Sequence, residues 1–259
     1  MEVIRDLLLA THIGQREALM LALLLLFVPA IPFFTARIRS GLKPNLRAIP
    51  GFAALKGFIG QAMETGQPVH VSIGVEGVAG THTAQTLAGL VAMRYLADQA
   101  AKYGGAPIVS VADPTALLAA QDEVRHAFRA GGEPNRLNLS QVRMIAPDSM
   151  AYAAGVMGIL SREGILANVM LGAFGEEYLL MSETATRKRI KQAVGTATVA
   201  TLPLAYVSSE DAILGEEVFA AGAYLSGIPA HVASLLAQDW VRMVIVLAII
   251  VGVILKTVR

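Results

Sequence analysis

Residues 69–83 read VHVSIGVEGVAGTHT, and this stretch decides the fold. Val69-His70-Val71-Ser72-Ile73 alternates apolar and polar residues, the period of a β-strand. Gly74 to Gly80 supplies three glycines in a turn. A helical pattern follows, with Leu87, Leu90, Val91 and Tyr95 spaced to share one face, and Gly104-Gly105 marks its end. Strand, glycine turn and helix form the opening unit of an α/β sheet.

The unit recurs downstream. Pro107–Val111 (PIVSV) reads as a second strand. Asp113-Pro114 opens a helix whose inner face carries Leu117, Ala120, Val124, Ala127 and Phe128. Val142–Ala146 (VRMIA) is a third strand, and Pro147-Asp148-Ser149 opens a helix with Met150, Ala153, Ala154, Met157 and Leu160. Ala167–Ala173 (ANVMLGA) is almost wholly apolar, as a strand covered on both faces should be. A fifth strand is expected near Leu202–Val207, running into Ser208-Ser209-Glu210-Asp211, where Ser208 and Asp211 resemble a capping box. Gly175–Thr198 does not separate helix from extended arm. Strands alternating with helices call for a Rossmann-like, doubly wound, mostly parallel α/β domain.

Outward from this core lie two apolar runs, Ala18–Thr35 (ALMLALLLLFVPAIPFFT) and Met243–Leu255 (MVIVLAIIVGVIL). The first is long enough to cross a bilayer. The second becomes so if Asp239, Trp240 and Arg242 sit at the interface. A cleaved signal peptide is disfavoured, since no A-x-A site follows the first run. The expected divisions are an N-terminal segment over 1–17, a transmembrane helix over 18–36, a basic juxtamembrane linker and helix over 37–66, the α/β domain over 67–230 and a second transmembrane helix over 239–256. Residues 1–16 suit either an interfacial helix or an extension of the first span. Arg37, Arg39, Lys43 and Arg47 follow that span with no acid from Ala36 to Ala48, which places the central domain in the cytoplasm of a cell-membrane protein.

Composition narrows the function. The 259 residues carry 21 basic and 20 acidic side chains, a net charge of +1, which gives no electrostatic footprint for nucleic acid. Cysteine is absent, which removes thiolate nucleophiles, disulfides and cysteine metal sites. No histidine pattern for a metal and no GxSxG elbow is present. Two spans with so few polar groups offer no ion pathway.

Ligands of such folds bind at the carboxyl ends of the strands. The candidate ligand-binding residues are therefore Gly74, Glu76, Gly77, Gly80, Thr81, His82, Asp113 and Glu176. The glycines are spaced GxxGxxG, not GxGxxG, and no Lys-Ser/Thr follows, so a tight turn and close helix packing explain them as well as a phosphate does. Glu76, Asp113, Asp148, Glu176 with Glu177, and Glu210 with Asp211 place an acid at each expected strand end. They serve either as complements to helix N-termini or as an acidic rim for a cation or amine. His82 reads as a helix-start residue or a general base. Arg187-Lys188-Arg189 and Lys191 form a solvated face or a contact to anionic lipid.

Taken whole, the chain resembles an uncharacterised family of prokaryotic membrane proteins with a span at each end and a central Rossmann-like domain of unknown function. The residues that carry the resemblance are the Gly74–Gly80 turn and Leu171–Glu177 (LGAFGEE), with the flanking spans. It implies the architecture and no catalytic residue or cofactor.

The expected function is a scaffold: a membrane-anchored α/β domain that self-assembles into a homo-oligomer or joins a larger membrane complex, without catalysis of its own. The alternative is a tethered sensor or enzyme that takes a small molecule or nucleotide in the strand-end crevice.

Overall fold

The computed structural model describes residues 14–103, 107–136 and 138–257. Helix α1 spans Gln15–Arg39 and α2 Pro50–Thr65. Strand β1 (Val69–Gly74) leads to α3 (Thr83–Tyr103), β2 (Ile108–Val111) to α4 (Pro114–Ala130), and β3 (Val142–Met144) to α5 (Ser149–Arg162). Strand β4 (Ala167–Ala173) leads to α6 (Tyr178–Arg187), and β5 (Lys191–Thr196) to α7 (Leu202–Ser208). After β6 (Asp211–Leu214) come two short irregular turns and α8 (Pro229–Thr257). The expected 1–16 segment lies largely outside the described residues, as does the Gly104-Gly105 helix end.

The sheet has the order β3-β2-β1-β4-β5-β6 with every pair parallel. That is the Rossmann strand order. Helices α2, α3 and α4 pack together on one face, and α5, α6 and α7 on the other. All residues of β1, β2 and β4 are buried, because helices cover both faces of the central strands. Phe52, Leu55, Met93, Leu96 and Phe128 are among the residues buried in the domain. On the α5–α7 face, Tyr152, Met170, Phe174, Tyr178 and Met181 form one cluster.

The chain divides into two compact units. Arg47–Ser226 is the α/β domain. Its first and last segments meet: Phe52 stacks on Tyr224 at 5.1 Å between ring centroids, and the Tyr224 hydroxyl donates to the Arg47 carbonyl at 2.6 Å. The Arg47 guanidinium pairs with Glu217. The other unit contains α1 and α8, which pack against each other. Both are long and apolar enough to cross a membrane, with mean hydropathy of 2.4 and 2.2 and almost none of the apolar window buried. Pro29 and Pro32 lie inside α1.

Three sequence expectations need correction. Leu202–Val207 is helix α7, not a strand. Pro203 falls in its first turn, where a missing N–H costs nothing, whereas a proline inside a sheet would break the ladder. The fifth strand is instead Lys191–Thr196, within the stretch the sequence left open. Ser208 and Asp211 form no capping box: Ser208 ends α7 and pairs with the Tyr178 hydroxyl, and Asp211 begins β6. Glu210 and Asp211 thus sit at the amino end of a strand and leave the proposed acidic rim. The Pro147-Asp148-Ser149 stretch opens α5 as expected, with Asp148 as the N-cap accepting from the Ala151 amide at 2.9 Å.

Candidate functional site

In this strand order the chain runs outward in one direction from β1 and in the other from β4. The crevice opens beyond the carboxyl ends of those two strands. Gly74 ends β1 at a bulge against Ala173 with φ +98°, and a Cβ there would lie 2.5 Å from the Ala173 carbonyl oxygen. Only glycine fits. The Val75 amide then donates to that same carbonyl at 3.0 Å.

From here the loop leans onto the end of β2. A Cβ on Gly77 would lie 2.3 Å from Asp113 Oδ1 and 2.7 Å from Thr115 Oγ1, and the Val78 amide donates to Thr115 Oγ1 at 3.0 Å. Asp113 is the N-cap of α4. Its Oδ1 accepts from the Thr115 amide at 2.7 Å, the Ala116 amide at 3.2 Å and the Thr115 hydroxyl. The Thr115 hydroxyl, aided by those amides against a small burial cost, holds the carboxyl below its ordinary range. A ribose-binding acid would sit at this place, but Asp113 is spent on capping α4, with the Gly77 loop packed against it and the residue partly exposed.

The start of α3 is fastened across the sheet. Buried Gln85 accepts from the Ala197 amide at 2.9 Å, which belongs to the loop after β5. Its amide nitrogen donates to His82 Nδ1 at 3.2 Å, so His82 is an acceptor there and half-buried. Thr83 Oγ1 donates to the carbonyls of Val78 and Gly80, and Thr86 Oγ1 to that of Glu76 at 3.2 Å. Thr81 and Gly80 are exposed, and a Cβ on Gly80 would lie 3.1 Å from Glu76 Oε2. The structure thus brings Gly77 to Asp113, Glu76 to Gly80 and His82 to Gln85. Glu176 points to solvent, and its neighbour Glu177 is the buried acid, 3% exposed, accepting from the Gly175 amide at 2.7 Å. Among the described residues no group of acids and histidines could hold a metal ion.

Sequence reasoning missed a buried polar chain on the α5 side of the sheet. His70 Nδ1 lies 2.7 Å from Asn168 Oδ1 and Nε2 2.9 Å from Ser110 Oγ. Tyr152 places its hydroxyl 2.7 Å from Ser110 Oγ and 2.6 Å from Ser72 Oγ. All five side chains are fully buried. With Asn168 Oδ1 as acceptor, Nδ1 carries the proton and Nε2 accepts from Ser110. Burial lowers His70 to about 4, opposed by the Asn168 hydrogen bond. Burial also pushes Tyr152 up to about 12. The signal was the alternation in VHVSI, whose polar residues face a helix and not solvent.

Residues 10–259 match the family described as a domain of unknown function, DUF6754. The chain belongs to that family. The match takes in the α/β domain and both apolar helices together, and it agrees with the resemblance to an uncharacterised family. No curated protein and no solved structure matches the chain.

Proposed function

We propose that this protein is a membrane-anchored scaffold: α1 and α8 hold the α/β domain at a cell membrane, where it self-assembles without catalysis of its own. The observation that carries the reading is that the strand-end groups are engaged by the chain itself. The Gly77 loop packs on Asp113, which caps α4, and Gln85 ties α3 to the loop after β5, so these polar groups are committed to the chain's own contacts. Exposed apolar side chains along α1 and α8, including Leu25 and Leu247, support lipid as their surroundings. Arg37, Arg39, Lys43 and Arg47 beside α1 favour a cytoplasmic domain, and the same composition suits a prokaryotic membrane protein family. Confinement to a bilayer raises effective concentration and promotes self-association.

Native mass spectrometry of the protein in mild detergent tests the proposal. A defined homo-oligomer is expected, and a strictly monomeric protein overturns it. One observation favours a second reading, a small-molecule sensor: Glu177 keeps a buried carboxylate at the switch point without a cationic partner among the described residues. Under that reading Gly77→Phe abolishes retention of a copurified ligand, while the oligomer is unaffected.

A further inference from the structure

The amino ends of β5 and β6 border a cleft of about 700 Å3 roofed by α2, at the opposite end of the sheet from the crevice above. Its volume falls in the range of small-molecule sites. Lys191 and Arg189 line it, and so do Asp211 and Glu210. Charges of both signs therefore share one cleft, yet none of the ion pairs among the described residues joins them.

Lys191 Nζ donates to Gln61 Oε1 of α2 at 2.5 Å and is held on that wall. Asp211 has its proton affinity raised by burial and then by Glu210, the opposite of what a cationic partner would do. Arg189 follows the Lys188 C-cap of α6 at φ +57°, with its amide on the Thr186 carbonyl and the Ile190 amide on that of Ala185. Glycine is the residue that normally takes this helix-end position, so an arginine there is held at a conformational cost. On the roof, a Cβ at Gly57 would meet nothing within 4 Å, so the space is open there.

We propose that this cleft binds a small zwitterion, with its ammonium group against Asp211 and Glu210 and its phosphate or carboxylate against Lys191 and Arg189. A free phosphoamine and an aminophospholipid headgroup share this chemistry. The site is independent of self-assembly and of the strand-end crevice.

Isothermal titration of O-phosphoethanolamine into the full chain in maltoside micelles tests it. The expected result is saturable binding about tenfold or more tighter than that of inorganic phosphate or ethanolamine alone. Lys191→Gln and Asp211→Asn should each weaken it by about tenfold. If either charge variant fails to fold by circular dichroism, Gly57→Leu carries the test, because it fills the open space and favours the helix. Absence of saturable binding, equal affinity for inorganic phosphate, or unchanged binding in Gly57→Leu overturns the proposal. Once binding is found, displacement by nanodiscs of phosphatidylethanolamine but not phosphatidylcholine assigns it to the lipid headgroup, and no displacement assigns it to a free phosphoamine.

Discussion

The imidazole of His70 on β1 accepts the Ser110 hydroxyl of β2 at 2.9 Å, a polar contact buried in the middle of the sheet. Together with Asn168 on the other side, it fixes β1 between β2 and β4 by groups that fit one register only. Within this polar chain Asn168 Nδ2 is buried without a partner among the described residues, and the remaining bonds penalise any slip of register.

That arrangement makes the domain acid-sensitive. Folded His70 takes its proton near 4, whereas an unfolded histidine takes it near 6.5. Between those values the unfolded state binds more protons, so stability is full above pH 6.5 and falls as the pH drops towards 4. The full loss is roughly 3 kcal/mol. Denaturant unfolding followed by circular dichroism between pH 7.5 and 4 should show it. His70→Gln should flatten the slope and lower stability at neutral pH, since Ser110 or Asn168 then loses a partner.

Asp113 behaves with the opposite charge logic. Its folded carboxyl titrates below the ordinary value, so its contribution is present above about pH 4 and is lost as the pH falls through the folded value. Asp113→Ala removes the α4 cap and should cost about 1 kcal/mol at pH 7. Asp113→Asn should recover part of that loss in the same melting experiment.

Gly77→Val places a branched side chain where a Cβ alone would approach Asp113 Oδ1 to 2.3 Å. Crowding of this kind costs about 1–3 kcal/mol. The scaffold reading expects a lower melting temperature with the oligomer unchanged in native mass spectrometry below the melt.

Tyr224 joins the last segment of the α/β domain to its first. Tyr224→Phe keeps the stack on Phe52 and loses the bond to the Arg47 carbonyl, at about 1 kcal/mol. Tyr224→Ala loses both, at roughly 2–3 kcal/mol. Hydrogen exchange at the start of α2 should rise in the order wild type, Phe, Ala.

Where the sequence held local signals, they were sufficient. Asp113-Pro114 and Asp148-Ser149 announce their helices because an N-cap acts over three residues. ANVMLGA announces a covered strand because both of its faces are apolar. Lys191–Thr196 was hidden because KQAVGT is short and mixed, and its place is set by pairing with β4, which no local pattern encodes. Leu202–Val207 misled because its apolar density outweighed the single informative residue, Pro203. At the candidate site, the glycines were legible as a turn. The fastening by Gln85 was not, since it joins positions more than a hundred residues apart. His70 went unnoticed because alternation does not say which face meets water.

The bond between Tyr224 and Arg47 also bears on how such a chain can change over time. A domain whose entry and exit lie side by side behaves as a cassette: it can be excised, replaced or circularly permuted while the flanking chain still closes. The two apolar helices would then serve as a reusable mount for other cargo, and the α/β cassette as cargo that could be carried on other mounts.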